Sequence, residues 1–330
     1  MTDNRCEGAL KAPLPPGAQR IPADASALTK IAGMTPNVTA VSYGLNVTPA
    51  GLEQLRSVLA SHGAQVLSES ASGDDRYQVR VLDLELQDAT AAGLAVLRRA
   101  VAEAAANDFD TALVPAALRT ASRKLLIMDV DSTLIQQEVI ELLAAYAGKR
   151  EEVAAVTEAA MRGELDFAQS LHARVAVLAG LPADVVHSVR DEVKLSEGAA
   201  ELVAAFKAAG HTVAVVSGGF NQILEPIAAD LGLDYWQANE LEIVDGALTG
   251  KVLGAVVDRA AKEKYLREWA GAEGIALEHT IAVGDGANDL DMLGAAGIGV
   301  AFNAKPAVRA VADAALNMPY LDAVRHVAGV

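Results

Sequence analysis

The sequence is short of cysteine, of secretory features and of long apolar runs. Its 330 residues include one cysteine, Cys6, so no disulfide can form within the chain, which fits a reducing compartment. Residues 1–20 contain acids and prolines but no apolar core, so we do not expect a secretory signal. No apolar run approaches the roughly 20 residues that a membrane-spanning helix requires. We therefore expect a soluble cytoplasmic protein with no membrane partner.

Positive charge and aromatic rings are scarce as well. The chain has 27 Lys and Arg against 43 Asp and Glu, a formal net charge of −16, and 4% aromatic residues. An acidic surface repels a phosphate backbone, and few rings are available to stack on bases, so we predict no nucleic-acid partner. An anionic substrate would require a local cation or a metal ion. The apolar content of 52% is sufficient for a sizeable core.

Length and pattern divide the chain into a tail and two domains. Residues 1–36 carry five prolines with little periodicity, which predicts a flexible tail. Residues 37–120 alternate as β-α-β-β-α-β, which is the order of a small ferredoxin-like α+β domain. The elements of this domain are predicted at 38–47, 51–62, 65–70, 77–86, 91–106 and 110–114, and a linker is predicted at 115–123.

Residues 121–330 predict a larger α/β domain. Strands alternate with helices, which is typical of a doubly wound parallel sheet. The segment between the first two strands holds more helix than an ordinary crossover needs, with helices predicted at 136–147, 151–162, 166–178 and 182–193. We expect these helices to form a cap, at about 135–196, that covers the ends of the strands and excludes water.

The first strand of this domain ends in two acids. Residues 125–128 are apolar at every position, which indicates a strand buried on both faces of a parallel sheet. Asp129 and Asp131 follow, at the strand end where open α/β sheets bind ligands. At about 4 Å and an effective dielectric near 20, their repulsion costs on the order of 4 kcal/mol, and bound Mg²⁺ removes that cost. Taken alone, the stretch also fits a plain acidic turn.

Two later strand ends also carry polar residues. One is followed by Ser-Gly-Gly-Phe, in which a hydroxyl and backbone N–H groups can approach an anion at a helix N-terminus. The other is followed by Gly-Asp-Gly-Ala-Asn-Asp. Each alone could be a turn, but together they predict a pocket with oxygen ligands for Mg²⁺ and donors for phosphate. In such a pocket a carboxylate can attack phosphorus to form an aspartyl-phosphate. The polar residues are Ser217, Asp285, Asn288 and Asp289, with Lys262 on the preceding helix.

The four motifs resemble those of the haloacid dehalogenase-like phosphatases. They are Asp-Val-Asp-Ser-Thr at 129–133, Ser-Gly-Gly-Phe at 217–220, Lys262, and Gly-Asp-Gly-Ala-Asn-Asp at 284–289. Residues 161–171 in the cap are similar to the phosphoserine phosphatases of that superfamily. The resemblance implies a Mg²⁺-dependent hydrolase that converts O-phospho-L-serine to L-serine and phosphate, the last step of serine synthesis. Alternatives are another small phosphomonoester as substrate, or phosphoryl transfer to an alcohol.

The resemblance also implies a role for each motif residue. Asp129 is the expected nucleophile, and Asp131 is the general acid on the leaving oxygen and then the base for water. The expected Mg²⁺ ligands are Asp129, Asp131 by its backbone carbonyl, Asp285 and Asp289. The expected substrate contacts are Glu138 to the ammonium, Arg174 to the carboxylate, Ser217, Gly218 and Lys262 to the phosphate, Asn288, and an apolar wall of Met161 and Phe167. Two turns of a predicted helix, roughly 10 Å, separate Glu138 from Asp131.

Residues 37–120 resemble an ACT domain, a small regulatory module that often binds amino acids at subunit interfaces. ACT domains often carry an Asp-Arg-Pro-Gly-like turn after the first strand, whereas this chain has Thr-Pro-Ala-Gly at 48–51. The resemblance implies a homodimer through this domain. A sensor of amino acids and a purely structural appendage are both open interpretations.

Overall fold

The computed structural model describes residues 35–104, 109–161 and 166–330, and the side chains of 158–161 are outside that description. Most of the predicted tail at 1–36, the side chain of Met161 and residues 162–165 of the cap motif therefore lie outside the described residues. In the part of the chain that the structure covers, no helix is both long and apolar enough to cross a bilayer.

The N-terminal domain is a four-stranded antiparallel sheet with two helices. Strand β3 lies between β1 and β2, and the sheet order is β2-β3-β1-β4. Leu55 and Leu59 of the first helix and Leu94 and Leu97 of the second are buried in one cluster with the sheet. The predicted βαββαβ order is therefore confirmed. The elements are β1 Val38–Gly44, α1 Pro49–Ser61, β2 Ala64–Gly73, β3 Gln78–Leu86, α2 Ala91–Ala104 and β4 Asp110–Pro115.

The prediction of a linker at 115–123 is wrong in part. Residues Ala116–Thr120 form a short helix, α3, and Leu118 on it is fully buried. Arg119 on the same helix donates a hydrogen bond of 2.6 Å to the backbone oxygen of His326. The segment was predicted as a linker from its position between two patterns, whereas contacts far along the chain make it part of the core.

A buried carboxylate joins the two domains. Asp322 is fully buried and accepts hydrogen bonds of 2.7 Å from Tyr77 Oη and from Arg76 Nη2. A second contact runs from Tyr43 Oη to the backbone oxygen of Ala315, also at 2.7 Å. Buried polar groups require such partners, and here each domain supplies the partners of the other.

The larger domain is built on a seven-stranded sheet in the order β11-β10-β9-β5-β6-β7-β8. All neighbouring strands are parallel except β7 and β8, which form an antiparallel hairpin. The apolar strand β5 is fully buried between β9 and β6, so the three motif-bearing strands are adjacent and end at the same edge. The strands are β5 Leu125–Met128, β6 Thr212–Phe220, β7 Tyr235–Val244, β8 Ala247–Leu253, β9 Thr280–Gly284, β10 Ile298–Phe302 and β11 Ala314–Leu316.

Helices flank this sheet and cover the edge where the motifs lie. The doubly wound α/β fold with a helical cap is confirmed. The third cap helix begins with a capping box, in which Asp166 accepts from the backbone of Gln169 and the Gln169 side chain bonds back. The cap helices are α4 Val139–Tyr146, α5 Arg150–Met161, α6 Phe167–Ala176 and α7 Asp184–Glu192. The remaining helices are α8 Ala199–Ala208, α9 Asn221–Leu231, α10 Arg259–Ala272, α11 Leu290–Ala295, α12 Pro306–Arg309 and α13 Val324–Ala328.

Candidate active site

The chain turns sharply where β5 ends. The backbone N–H of Asp129 still donates to Val283 on β9 at 2.9 Å, but Ser132 three residues later has a positive φ of 57°. This conformation is uncommon outside glycine and is held by the surrounding bonds. The N–H of Val139 donates to Asp131 Oδ1 at 3.1 Å, which closes the turn. Asp129 and Asp131 are thereby both directed to the crevice.

A buried lysine neutralises the floor of this crevice. Lys262, on α10, is fully buried, and its Nζ lies 2.7 Å from Asp129 Oδ1 and 2.6 Å from Asp289 Oδ1. Burial lowers the pKa of Lys262, but the two carboxylates outweigh that effect and raise it above the ordinary lysine value. Lys262 therefore remains a fixed cation at neutral pH.

Three carboxylates meet beside this lysine. One oxygen each from Asp129, Asp285 and Asp289 lie within 4.8 Å of one another. Burial and then the charge of Asp289 raise the pKa of Asp129 well above its ordinary value and the pKa of Asp285 to about 6. Such repulsion is relieved by a divalent ion, and hard ions with oxygen ligands suit this donor set. The cluster therefore fits Mg²⁺, and it contains three of the four predicted ligand residues.

The carboxylate of Asp131 lies outside that cluster. Its Oδ1 accepts from Val139 N–H, and its Oδ2 accepts from Ser217 Oγ at 3.3 Å. Burial and then the charge of Glu138 raise the pKa of Asp131 to about 7. A carboxyl group with a pKa near neutrality can both give and take a proton at physiological pH.

The Ser-Gly-Gly turn bulges out of β6 next to Asp131. The Gly219 N–H donates to Ser217 Oγ at 2.7 Å, and a Cβ on Gly219 would lie 2.7 Å from Asp131 Oδ2. A Cβ on Gly218 would lie 2.9 Å from the ring of Phe167, which reaches down from the cap. A side chain on either glycine would therefore displace a neighbouring side chain. Phe167 also brings the cap into contact with this Ser217–Gly219 turn, hereafter the phosphate turn.

One cavity of about 540 Å³ lies between the cap and the sheet edge. Ser217, Lys262 and Asp289 lie behind its wall, and the cavity is lined by the remaining predicted site residues whose side chains are described. These are Asp129, Asp131, Glu138, Phe167, Arg174, Gly218, Asp285 and Asn288.

Glu138 reaches this cavity by a different route from the predicted one. The helix expected from residue 136 begins at Val139, and Glu138 is its N-cap, with φ −94° and ψ 108°. The estimate of two helical turns from Asp131 is therefore wrong, because residues 130–138 form the sharp turn instead. Ser132 Oγ donates to Glu138 Oε1 at 2.7 Å, which fixes the carboxylate at the cavity rim.

Arg174, on α6, lines the same cavity as Glu138. It is half-buried, and its Nε donates to the backbone oxygen of Ser170 at 3.3 Å. Burial lowers the pKa of Arg174, and the charges of Glu138 and Asp131 oppose that effect. The cavity is thus lined by an anionic and a cationic side chain, Glu138 and Arg174, that are not part of the carboxylate cluster.

Sequence reasoning missed three residues of the site. Arg259 and Lys305 line the cavity, and Arg259 is also paired with Asp291. Asn239 on β7 is buried and donates to the backbone oxygen of Gly218 at 2.8 Å. Arg259 could have been included from its position three residues before Lys262, but no local pattern distinguishes Lys305 or Asn239.

Comparison with known proteins agrees with this geometry. A family model described as haloacid dehalogenase-like hydrolase matches residues 126–294. A phosphoserine phosphatase of Streptomyces coelicolor is 50% identical over 333 residues, covering 98% of this chain and 79% of that protein. Two solved structures, each 44% identical with a TM-score of 0.59, cover 62% of this chain. They are a phospho-aspartyl intermediate analogue of phosphoserine phosphatase, covered over 98% of its chain, and a substrate-bound phosphoserine phosphatase complex, covered over 97%. This chain therefore belongs to the haloacid dehalogenase-like hydrolases and, within them, to the phosphoserine phosphatases.

Proposed function

We propose that this enzyme hydrolyses O-phospho-L-serine to L-serine and phosphate in two steps. The observation that carries the proposal is that one cavity is lined both by the acids Asp129 and Asp131 and by the charged pair Glu138 and Arg174. O-phospho-L-serine carries a phosphate at one end and an ammonium and a carboxylate at the other, so a site for it needs both sets of residues. Two solved relatives, one a phospho-aspartyl intermediate analogue and one a substrate-bound complex of phosphoserine phosphatase, support the same chemistry.

In the first step, a carboxylate oxygen of Asp129 attacks phosphorus, and the bond from phosphorus to the serine oxygen breaks. Val130 N–H and Lys262 both contact Oδ1 of Asp129, so we assign Oδ2 as the attacking atom. Asp131 gives its proton to the departing serine oxygen. Its pKa of about 7 leaves enough of the protonated form at neutral pH for this role.

In the second step, water hydrolyses the aspartyl-phosphate. Asp131, now ionised, takes a proton from the water, which attacks phosphorus and releases inorganic phosphate from Asp129. Splitting the reaction in this way replaces one slow displacement by two easier ones. Lys262 and the Ser217–Gly218 turn stabilise negative charge on the phosphoryl oxygens at fixed positions.

Asp129, Asp285 and Asp289, with the backbone carbonyl of Asp131, would hold Mg²⁺. The ion supplies neutralisation of the phosphate charge when bound. The chain's own part is to position these oxygens: Gly286 N–H donates to Asp289 Oδ2 at 2.9 Å and Lys262 holds Oδ1. Both carboxylate oxygens of Asp289 therefore already accept a hydrogen bond, and its main role is to support the carboxylates of Asp129 and Asp285.

Specificity for the amino acid comes from two charged side chains that line the cavity. Glu138 faces the substrate ammonium, and the guanidinium of Arg174 binds the carboxylate in a bidentate pair. Asn288 contacts the substrate beside the metal ligands, and Phe167 contributes an apolar wall. A phosphomonoester without an ammonium and a carboxylate group would leave Glu138 or the half-buried Arg174 without a substrate partner, which lowers affinity.

A phosphate-release screen tests this proposal. The full chain is assayed with phosphoserine, phosphothreonine and glycerol phosphate, each with Mg²⁺ and with EDTA. We expect phosphoserine to give the highest kcat/KM, only with Mg²⁺, and Asp129→Asn to abolish turnover while the circular dichroism spectrum is unchanged. Equal rates with all three substrates would reject the specificity, and an active Asp129→Asn variant would reject the mechanism.

The setting of the reaction is a further part of the proposal. A phosphatase that releases L-serine fits the final step of serine biosynthesis, in the cytoplasm. Homodimerisation through the N-terminal domain, whose strand β2 is an edge of its sheet, and an amino-acid-sensing role stay predictions. Calorimetry with serine and glycine tests the sensor, and sedimentation tests the dimer.

A further inference from the structure

The phosphate turn depends on a contact that its own sequence does not provide. Strand β6 pairs with β7 at Val216↔Gln237 and again at Phe220↔Asn239, so β6 advances four residues while β7 advances two. The additional residues form a bulge that carries Ser217, Gly218 and Gly219 toward the cavity. Bulges interrupt the ladder and leave backbone groups to be paired in another way.

The side chain of Asn239 supplies that pairing. It is 2% exposed, its Nδ2 donates to the Gly218 oxygen at 2.8 Å, and its Oδ1 accepts from Val257 N–H at 2.8 Å. Val257 precedes the N-cap of α10, Asp258, on the helix that carries Lys262. The side-chain amide of Asn239 thus connects the phosphate turn to the N-terminus of α10, the helix that carries Lys262.

The consequence reaches the reacting groups through one peptide plane. The oxygen of Gly218 and the N–H of Gly219 belong to the same peptide, so a bond to the oxygen fixes the direction of the N–H. That N–H donates to Ser217 Oγ at 2.7 Å, and Ser217 Oγ in turn donates to Asp131 Oδ2. The order of contacts is Asn239, the Gly218–Gly219 peptide, Ser217 and then Asp131.

We propose that Asn239 is a positioning residue for phosphate binding, which orients the Ser217 hydroxyl through the Gly218–Gly219 peptide. The inference rests on the proposed function in one respect, which is that the phosphate turn binds a phosphoryl group. Without the amide, the buried oxygen of Gly218 and the N–H of Val257 both lose their partner. The turn then relaxes, and a displacement near 1 Å can cost about 100-fold in rate.

The test measures inorganic phosphate binding by calorimetry in the Mg²⁺-loaded full chain, together with kcat and KM for phosphoserine and p-nitrophenyl phosphate. We expect Asn239→Ala to weaken phosphate binding and kcat/KM by about 10- to 100-fold. The matched control is Asn221→Ala, because Asn221 braces the same strand at Ala238 N–H, at 2.9 Å, without touching the phosphate turn. We expect this control to stay within about threefold of the wild-type values.

A double-mutant cycle separates positioning from general destabilisation. If Asn239 acts through Ser217, Asn239→Ala adds less than about threefold to the loss already caused by Ser217→Ala, because coupled residues are not additive. Equal losses in the two backgrounds, or a folded Asn239→Ala protein with wild-type phosphate affinity, would overturn the inference. If Asn239→Ala does not fold, Asn239→Ser serves in the same cycle. The two proposals can fail separately. If the wild-type protein binds phosphate and cleaves p-nitrophenyl phosphate but not phosphoserine, the proposed substrate is refuted, and the double-mutant cycle still tests the role of Asn239.

Discussion

Replacing Lys262 by methionine removes the only cation in contact with two buried carboxylates in the described part of the chain. The Nζ atom lies within 2.7 Å of Asp129 and 2.6 Å of Asp289, and all three side chains are buried. Breaking a buried pair by removing one partner costs about 3–5 kcal/mol, because the remaining charge stays without compensation. We therefore expect Lys262→Met to lower the free energy of unfolding by about that amount at pH 8 in EDTA.

The size of this loss depends on pH in a defined direction. Lys262 opposes the burial that raises the pKa of Asp129, so its removal raises that pKa further. The folded variant then binds protons that the unfolded chain releases, and its stability rises as the pH falls. The defect at pH 5 should therefore be smaller than the defect at pH 8. The raised pKa of Lys262 keeps its own contribution constant over this range, since it is lost only as the pH rises through the folded value.

Urea titrations of the metal-free protein at the two pH values provide the assay. Lys264→Met on the same helix is the matched control, because Lys264 is 64% exposed and lies 3.6 Å from Glu268. Exposed pairs of this kind contribute less than about 1 kcal/mol. A loss below about 1 kcal/mol for Lys262→Met, or a loss that is equal at pH 5 and pH 8, would refute the reasoning about the buried cluster.

Three further outcomes are expected. Burial, with nearby acids, raises the pKa of Asp131 to about 7 and the pKa of Asp285 to about 6. These groups therefore lower the stability of the metal-free protein as the pH rises from 3.8 to about 7, because the folded state holds protons that the unfolded chain releases. Denaturant titrations that show the opposite slope would contradict this. Arg174→Ala should raise KM for phosphoserine at least about tenfold but leave p-nitrophenyl phosphate nearly unchanged, as steady-state kinetics would measure. Tyr77→Phe removes a 2.7 Å bond to buried Asp322 and should cost about 1–3 kcal/mol in urea unfolding, and an unchanged midpoint would count against the proposed strength of the domain contact.

The sequence was informative wherever a local pattern coincided with a strand end. The apolar run 125–128 predicts β5 because burial on both faces requires apolar side chains at every position. The three polar motifs follow strands that are adjacent in the sheet, so their meeting in one cavity follows from the topology. The same reasoning predicts the order of elements in the N-terminal domain, since its helices and strands have clear periods.

Other features depend on contacts that are distant along the chain. Strand β7 runs continuously over Tyr235–Val244, although Asn239 and Glu240 interrupt its apolar pattern, because both side chains have polar partners. Helix α3 exists because Leu118 is buried against residues of the other domain. Glu138 is an N-cap because the chain turns at Ser132 with a positive φ, which a serine does not predict.

The central claim is that Asp129 forms a covalent bond to phosphorus, and trapping tests it most directly. The enzyme is mixed with radiolabelled phosphoserine and Mg²⁺, quenched in acid within milliseconds and digested for mass spectrometry. We predict a hydroxylamine-sensitive acyl phosphate on the peptide that contains Asp129, and none with Asp129→Asn. Label on another residue, or full turnover by Asp129→Asn with no trapped label, would contradict the account.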